Sequence, residues 1–115
     1  MKKLDKLIYE IKKAIYLLRC KIWRLTETKK TLQFTVFEQT AIEEIVCAVL
    51  RDLDLDVKSQ ENIRKLLKKV QKKFTKLTYY ECQSLTNILA WAMFESKSSF
   101  NCDCIREKIT LTPYD

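Results

Sequence analysis

The chain has 115 residues, 22 basic against 15 acidic side chains, a formal charge of +7, one proline, and neither glycine nor histidine. That length buries one core in a single domain, while missing glycine argues against strand-rich folds and excludes glycine-built phosphate cradles. Missing histidine removes the commonest general base and metal ligand together, so the composition points to an all-α protein that is not an enzyme and carries no cofactor.

The first predicted helix covers about residues 2 to 29. Leu4, Ile8, Ile11, Ile15, Leu18, Ile22 and Leu25 alternate by four and three, a seven-residue repeat. Isoleucine at Ile8, Ile15 and Ile22, with mostly leucine at the alternate positions, suits a two-stranded pair. The stripe therefore either faces the core of this chain or joins a second copy as a dimer. Leu7 and Ala14 widen it, as in a helix within a bundle. Off the stripe, Tyr9, Tyr16 and Trp23 fall seven residues apart, flanked by Lys12 and Arg19 on one side and by Lys6 and Lys13 on the other. Exposed, such a row is built for a partner, because aromatic rings and arginines anchor interfaces and stack on unpaired bases. Covered by a neighbouring helix, it is ordinary packing.

Two helix starts follow, 43 residues apart. Phe34-Thr35-Val36-Phe37-Glu38 and Leu77-Thr78-Tyr79-Tyr80-Glu81 each place a threonine three residues before a glutamate. That spacing predicts a capping box, in which the hydroxyl caps a helical amide and the carboxylate returns to the threonine N–H. Each follows a basic segment, so the unit reads as a basic helix turning into a capped acidic one, used twice. The second predicted helix runs from about Val36 to Leu53, with Phe37, Ala41, Ile45, Ala48 and Val49 on one side. Residues 54 to 59 form a polar connection. The third, about Gln60 to Lys76, turns Ile63, Leu66, Leu67, Val70, Phe74 and Leu77 inward. The fourth, about Tyr79 to Lys97, buries Leu85, Ile88, Leu89, Ala92 and Met93. A short fifth helix over Asp103 to Ile109, or a tail whose Ile109-Thr110-Leu111-Thr112 alternation docks as a strand, closes the chain.

The predicted fold is an antiparallel four-helix bundle of two helical hairpins over residues 1–97, with residues 98–115 as a C-terminal segment packed on it or extending from it. Charge alternates along this order: residues 1–30 carry +7, 31–57 carry −5, 58–78 carry +7 and 79–115 carry −2. In an up-and-down bundle each basic helix then sits between two acidic ones, which disfavours placing the first and third side by side. Arg64, Lys65, Lys68, Lys69, Lys72, Lys73 and Lys76 nonetheless form the densest cationic face. It suits a nucleic-acid backbone or an acidic protein, or is simply solvated. A lysine-dominated face offers few bidentate base contacts, so sequence-specific DNA reading is not indicated.

The five cysteines are an odd set without a secretion signal, which points to free thiols and a cytoplasmic location. Cys102 and Cys104 share one side only if their segment is extended, and a zinc site would have to recruit two of Cys20, Cys47 and Cys82. Cys47 and Cys82 read instead as small buried hydrophobes, and no metal site is indicated. The runs Ile45 to Leu50 and Ile88 to Phe94 are too short to span a bilayer. The function these features indicate is non-catalytic: a small helical regulator, adaptor or inhibitor, of viral or mobile-element type, acting through protein–protein contacts or self-association of the first helix. Non-sequence-specific nucleic-acid binding through the first and third helices is the alternative.

Overall fold

The computed structural model describes residues 2–17, 28–95 and 102–115. Among the described residues there are five helices and two short strands: α1 (Lys2–Leu17), β1 (Lys29–Leu32), α2 (Val36–Asp52), α3 (Val57–Val70), β2 (Thr75–Thr78), α4 (Tyr79–Glu95) and α5 (Cys102–Leu111). The helical class stands. Among the described residues no helix is long and apolar enough to cross a membrane.

The two strands were not anticipated. β1 and β2 pair antiparallel with Lys29 opposite Thr78, Lys30 opposite Leu77, Thr31 opposite Lys76 and Leu32 opposite Thr75. Alternate residues point to opposite faces of a strand, so Lys30, Leu32, Leu77 and Thr75 turn inward. The first predicted helix therefore ends before Lys29, which lies in β1. Shifted by 43 residues, β2 falls on 32–35, of which only Leu32 belongs to β1, so the two strands do not follow the sequence offset. Both capping boxes do form. Thr35 Oγ1 accepts from Glu38 N at 3.1 Å, and Glu38 Oε1 accepts from Thr35 N at 2.8 Å. Thr78 Oγ1 accepts from Glu81 N at 3.2 Å, and Glu81 Oε1 accepts from Thr78 N at 3.0 Å.

α3 begins earlier than its sequence pattern implies, because Asp56 Oδ1 accepts from Ser59 N at 2.8 Å and caps it. It also ends earlier, at Val70. The predicted third helix ran six residues further, but β2 takes over at Thr75 and Phe74 is left 58 % exposed rather than inward. Phe37 and Met93, both predicted inward, are exposed too, because each lies at a helix end beyond the packed turns. The docking strand predicted over Ile109 to Thr112 is instead the last turn of α5 and the residue after it.

One core joins all the elements. Ile11 of α1, Ile42 and Ile45 of α2, Ile63 and Val70 of α3, Leu85 and Ile88 of α4, Ile105 of α5, and Leu77 of β2 are fully buried in it. Each such side chain contributes about 1.5–3 kcal/mol of transfer free energy. α4 is the hub, packing against α1, α2 and α5, while α3 packs against α2 and α1. Among the described residues this is not the neighbour order of an up-and-down bundle. In that order α1 would lie between the two acidic helices; here it lies against α4 and against basic α3. The sheet ties together the segments leading into α2 and α4, and α1 and α3 share a side.

Candidate binding surfaces on α3 and α1

Which lysines are neutralised inside the protein decides which remain for a partner. Three lie deep or half-buried against acceptors. Lys69 Nζ meets Glu81 Oε2 at 2.7 Å. Lys108 bonds Glu38 Oε1 and also donates to Gln33 O at 3.1 Å. Each lysine thereby sits on the buried carboxylate of a capping box, tying α3 to α4 and α5 to α2. Burial pushes the Glu38 carboxyl up, but the bond from Lys108 and the amide of Thr35 outweigh it, and its pKa falls below the ordinary value.

The third is Lys30, 6 % exposed although it is a lysine in a strand. Its Nζ donates to Ile109 O at 2.7 Å and to Thr110 O at 3.5 Å, with the Tyr114 ring 4.5 Å away. A cation at the carboxyl end of α5 satisfies carbonyls that have no helical partner and complements the helix dipole. The C-terminal residues then close over β1: Asp115 N donates to Lys29 O at 2.8 Å, and Thr31 Oγ1 donates to Asp115 Oδ2 at 2.8 Å. Sequence analysis assigns Lys30 no role beyond the charge of residues 1–30. The only signal available was the alternation Lys30, Leu32, Phe34, which places the lysine on the apolar side.

The predicted cationic face is dispersed over three elements. Arg64, Lys65 and Lys68 are exposed on α3; Lys72 and Lys73 follow it in the turn; Lys76 points outward from β2. Lys69 alone is withdrawn, by Glu81. Among the described residues the other six have no ion pair, and Lys73 lies 5.7 Å from the exposed Phe74 ring. The acidic helices therefore do not balance this face.

On α1, Lys6, Tyr9, Lys12 and Lys13 are exposed, Tyr9 to 63 %. Tyr16 belongs to α1, but its side chain lies outside the described residues, as do Arg19 and Trp23. The inner stripe is occupied: Ile11 is fully buried, Leu4, Leu7 and Ile8 pack against the core, and Ile8 lines a small cavity with Leu53 and Trp91. This half of the stripe faces its own chain. Ile15, Leu18, Ile22 and Leu25 continue it outside the described side chains.

The cysteines diverge from expectation at Cys47, which is exposed on α2, whereas Cys82 is buried. Cys102 and Cys104 lie in the first turn of α5, where residues two apart point in different directions, so one is buried and the other exposed. Burial, reinforced by the charge of Asp103, pushes the Cys102 thiol up, which disfavours the thiolate needed for metal or redox chemistry. Among the described residues no three His, Cys, Asp or Glu side chains are grouped to hold a metal. Compared with models of known protein families, with curated proteins and with solved structures, the chain matches none.

Proposed function

We propose that this chain is a non-catalytic helical binding protein that docks onto an acidic protein surface through the side formed by α3 and α1. The observation that carries this reading is the contact between the two basic helices, with six cations around α3 that form no ion pair among the described residues. Bringing like charge together costs stability, and an acidic partner offsets that cost. Tyr9 and Phe74 supply exposed rings within the same two cationic segments, the combination that anchors interfaces. A role as regulator, adaptor or inhibitor follows from a protein whose business is contact. The free thiols of Cys47, Cys82, Cys102 and Cys104 support a cytoplasmic location for the chain and its partner.

The second reading is nucleic-acid backbone binding by the same cations, favoured by their number and their lack of base-reading side chains. Affinity capture from native cells, run with the wild-type chain beside the double variant Arg64→Glu/Lys68→Glu, tests the first reading. An acidic protein retained by the wild type and lost by the variant supports it; identical retention overturns it. Fluorescence anisotropy with labelled single- and double-stranded oligonucleotides tests the second. Contacts to six phosphates would weaken binding by about 10³-fold between roughly 50 and 200 mM salt. No binding at the lower salt removes that reading.

A further inference from the structure

The outer edge of β1 is only partly covered, and what covers it comes from the residues that follow α5. Lys29 O points away from β2 and accepts from Asp115 N at 2.8 Å. Outward-facing groups recur at every second residue of an antiparallel ladder, so N and O of Thr31 face the same way. Among the described residues neither of them carries a backbone bond on that side. Tyr114 and Asp115 lie on this edge as residues of an added strand would, toward opposite faces of the sheet. The Tyr114 ring is 4.5 Å from Nζ of Lys30, which belongs to the inward face. Asp115 Oδ2 accepts from Thr31 Oγ1 at 2.8 Å on the outward face. The cover is shallow. Pro113, Tyr114 and Asp115 are all exposed, and the ring borders a cavity of about 260 Å³ that it lines with Lys30, Tyr79 and Gln83. A strand edge with open backbone groups is a template for pairing with another chain.

We propose that the outer edge of β1 is a strand-addition site for an extended partner segment carrying an aromatic residue followed by an acidic one, with Tyr114-Asp115 as its displaceable internal stand-in. In strand addition the backbone bonds hold the segment and the side chains choose it. The seated tail displays that choice. Lys30, 6 % exposed, sets the aromatic position, because its ammonium is met by a ring face. The outward face of the sheet sets the acidic position. Thr31 stands directly opposite Lys76 and two residues from Lys29, and all three are exposed on that face. A carboxylate on the Thr31 hydroxyl therefore lies between two lysines, neither of which forms an ion pair among the described residues. The same lysines disfavour β1 of a second copy as the added strand, since like charges would face each other across the seam. Only Lys76 is common to this edge and the cationic docking side, so the site goes beyond that reading and either can fail alone.

The test is a titration of the full ¹⁵N-labelled chain with the blocked peptide acetyl-Thr-Val-Tyr-Asp-Val-Thr-amide. Beside it run the same peptide with lysine in place of aspartate, and hexathymidylate. The acidic peptide is expected to shift the backbone amide signals of Lys29 and Thr31. Those of Tyr114 and Asp115 should move toward free-chain positions as the tail leaves the edge. The lysine peptide should bind about tenfold more weakly or worse, the worth of one hydrogen bond to a charged group. In the double variant Tyr114→Ala/Asp115→Ala the tail competes less, so the acidic peptide should bind about tenfold tighter to a chain with unchanged helicity. Thr31→Val keeps the edge backbone and should erase most of the preference for the acidic peptide. No shift at Lys29 and Thr31, equal binding of the lysine peptide, or unchanged affinity in the double variant overturns the proposal. Hexathymidylate shifting the same amides as strongly would show that charge alone is read, and overturns it too. So do concentration-dependent shifts of those amides without peptide, which would make a second copy the occupant.

Discussion

The two capping boxes use the same four groups and serve different ends. At Thr78 the box is sealed: Thr78 and Glu81 are 2 % and 7 % exposed, β2 runs straight into the helix, and the lysine on Glu81 comes from α3, twelve residues upstream. At Thr35 the threonine is exposed, three residues separate strand from helix, and the lysine on Glu38 comes from α5, seventy residues downstream. The first arrangement closes a local turn into the core. The second fastens the C-terminal helix to the body of the protein. One sequence motif thus sets a local helix start in both places, and its surroundings decide whether it also acts at long range.

That contrast sets the order of effects. Replacing a capping threonine costs about 0.5–2 kcal/mol. Thr78→Ala is expected near the top of that range, because it strands a buried amide, and Thr35→Ala near the bottom, because water reaches the site. Urea unfolding of both variants checks this, and equal losses would break the distinction. Next in size is Lys108→Met, at about 1 kcal/mol, the net worth of a typical hydrogen bond. It should raise amide exchange across residues 102–111 while leaving α3 protected; Lys69→Met should loosen the α3–α4 junction and leave α5 protected. Matching exchange patterns would remove the long-range role given to the Thr35 box.

The smallest effect is a pH dependence. Ionised Glu38 has a lowered pKa in the folded chain, so the stability it contributes is present above its unfolded-state pKa and is lost as pH falls through the folded value. Glu38→Gln should therefore lower the urea midpoint at neutral pH and flatten its decline in acid. An unchanged acid limb would show that the charge of Glu38, held by Lys108 and the Thr35 amide, contributes nothing to folding.

Much of this was legible in the chain itself. Helical periodicity marked Ile45, Ile63, Leu66, Leu85 and Ile88 as core, and the threonine–glutamate spacing marked both caps, because such signals lie within a turn or two of helix. The same local rules overextended the third helix and misplaced Phe37, Phe74 and Met93, since periodicity does not say where a packed turn ends. At the candidate surfaces, sequence located the cations of α3 and the Tyr9 strip. It did not say that Lys69 is consumed by Glu81 while its neighbours are not, for that depends on which helix lies alongside.

Residue pattern alone determined a helical protein with two capped helix starts and an excess of lysine, because capping, periodicity and charge are properties of neighbouring residues. Tertiary structure decided the rest. Two polar four-residue strands, too short to register locally, pair over more than forty residues of chain, and α1 lies beside α3. The same folding draws Lys30 inward onto the carbonyls of α5 and lays Asp115 along β1. Such features depend on groups far apart in the chain, whose meeting is set by the packing of the whole core rather than by any one segment.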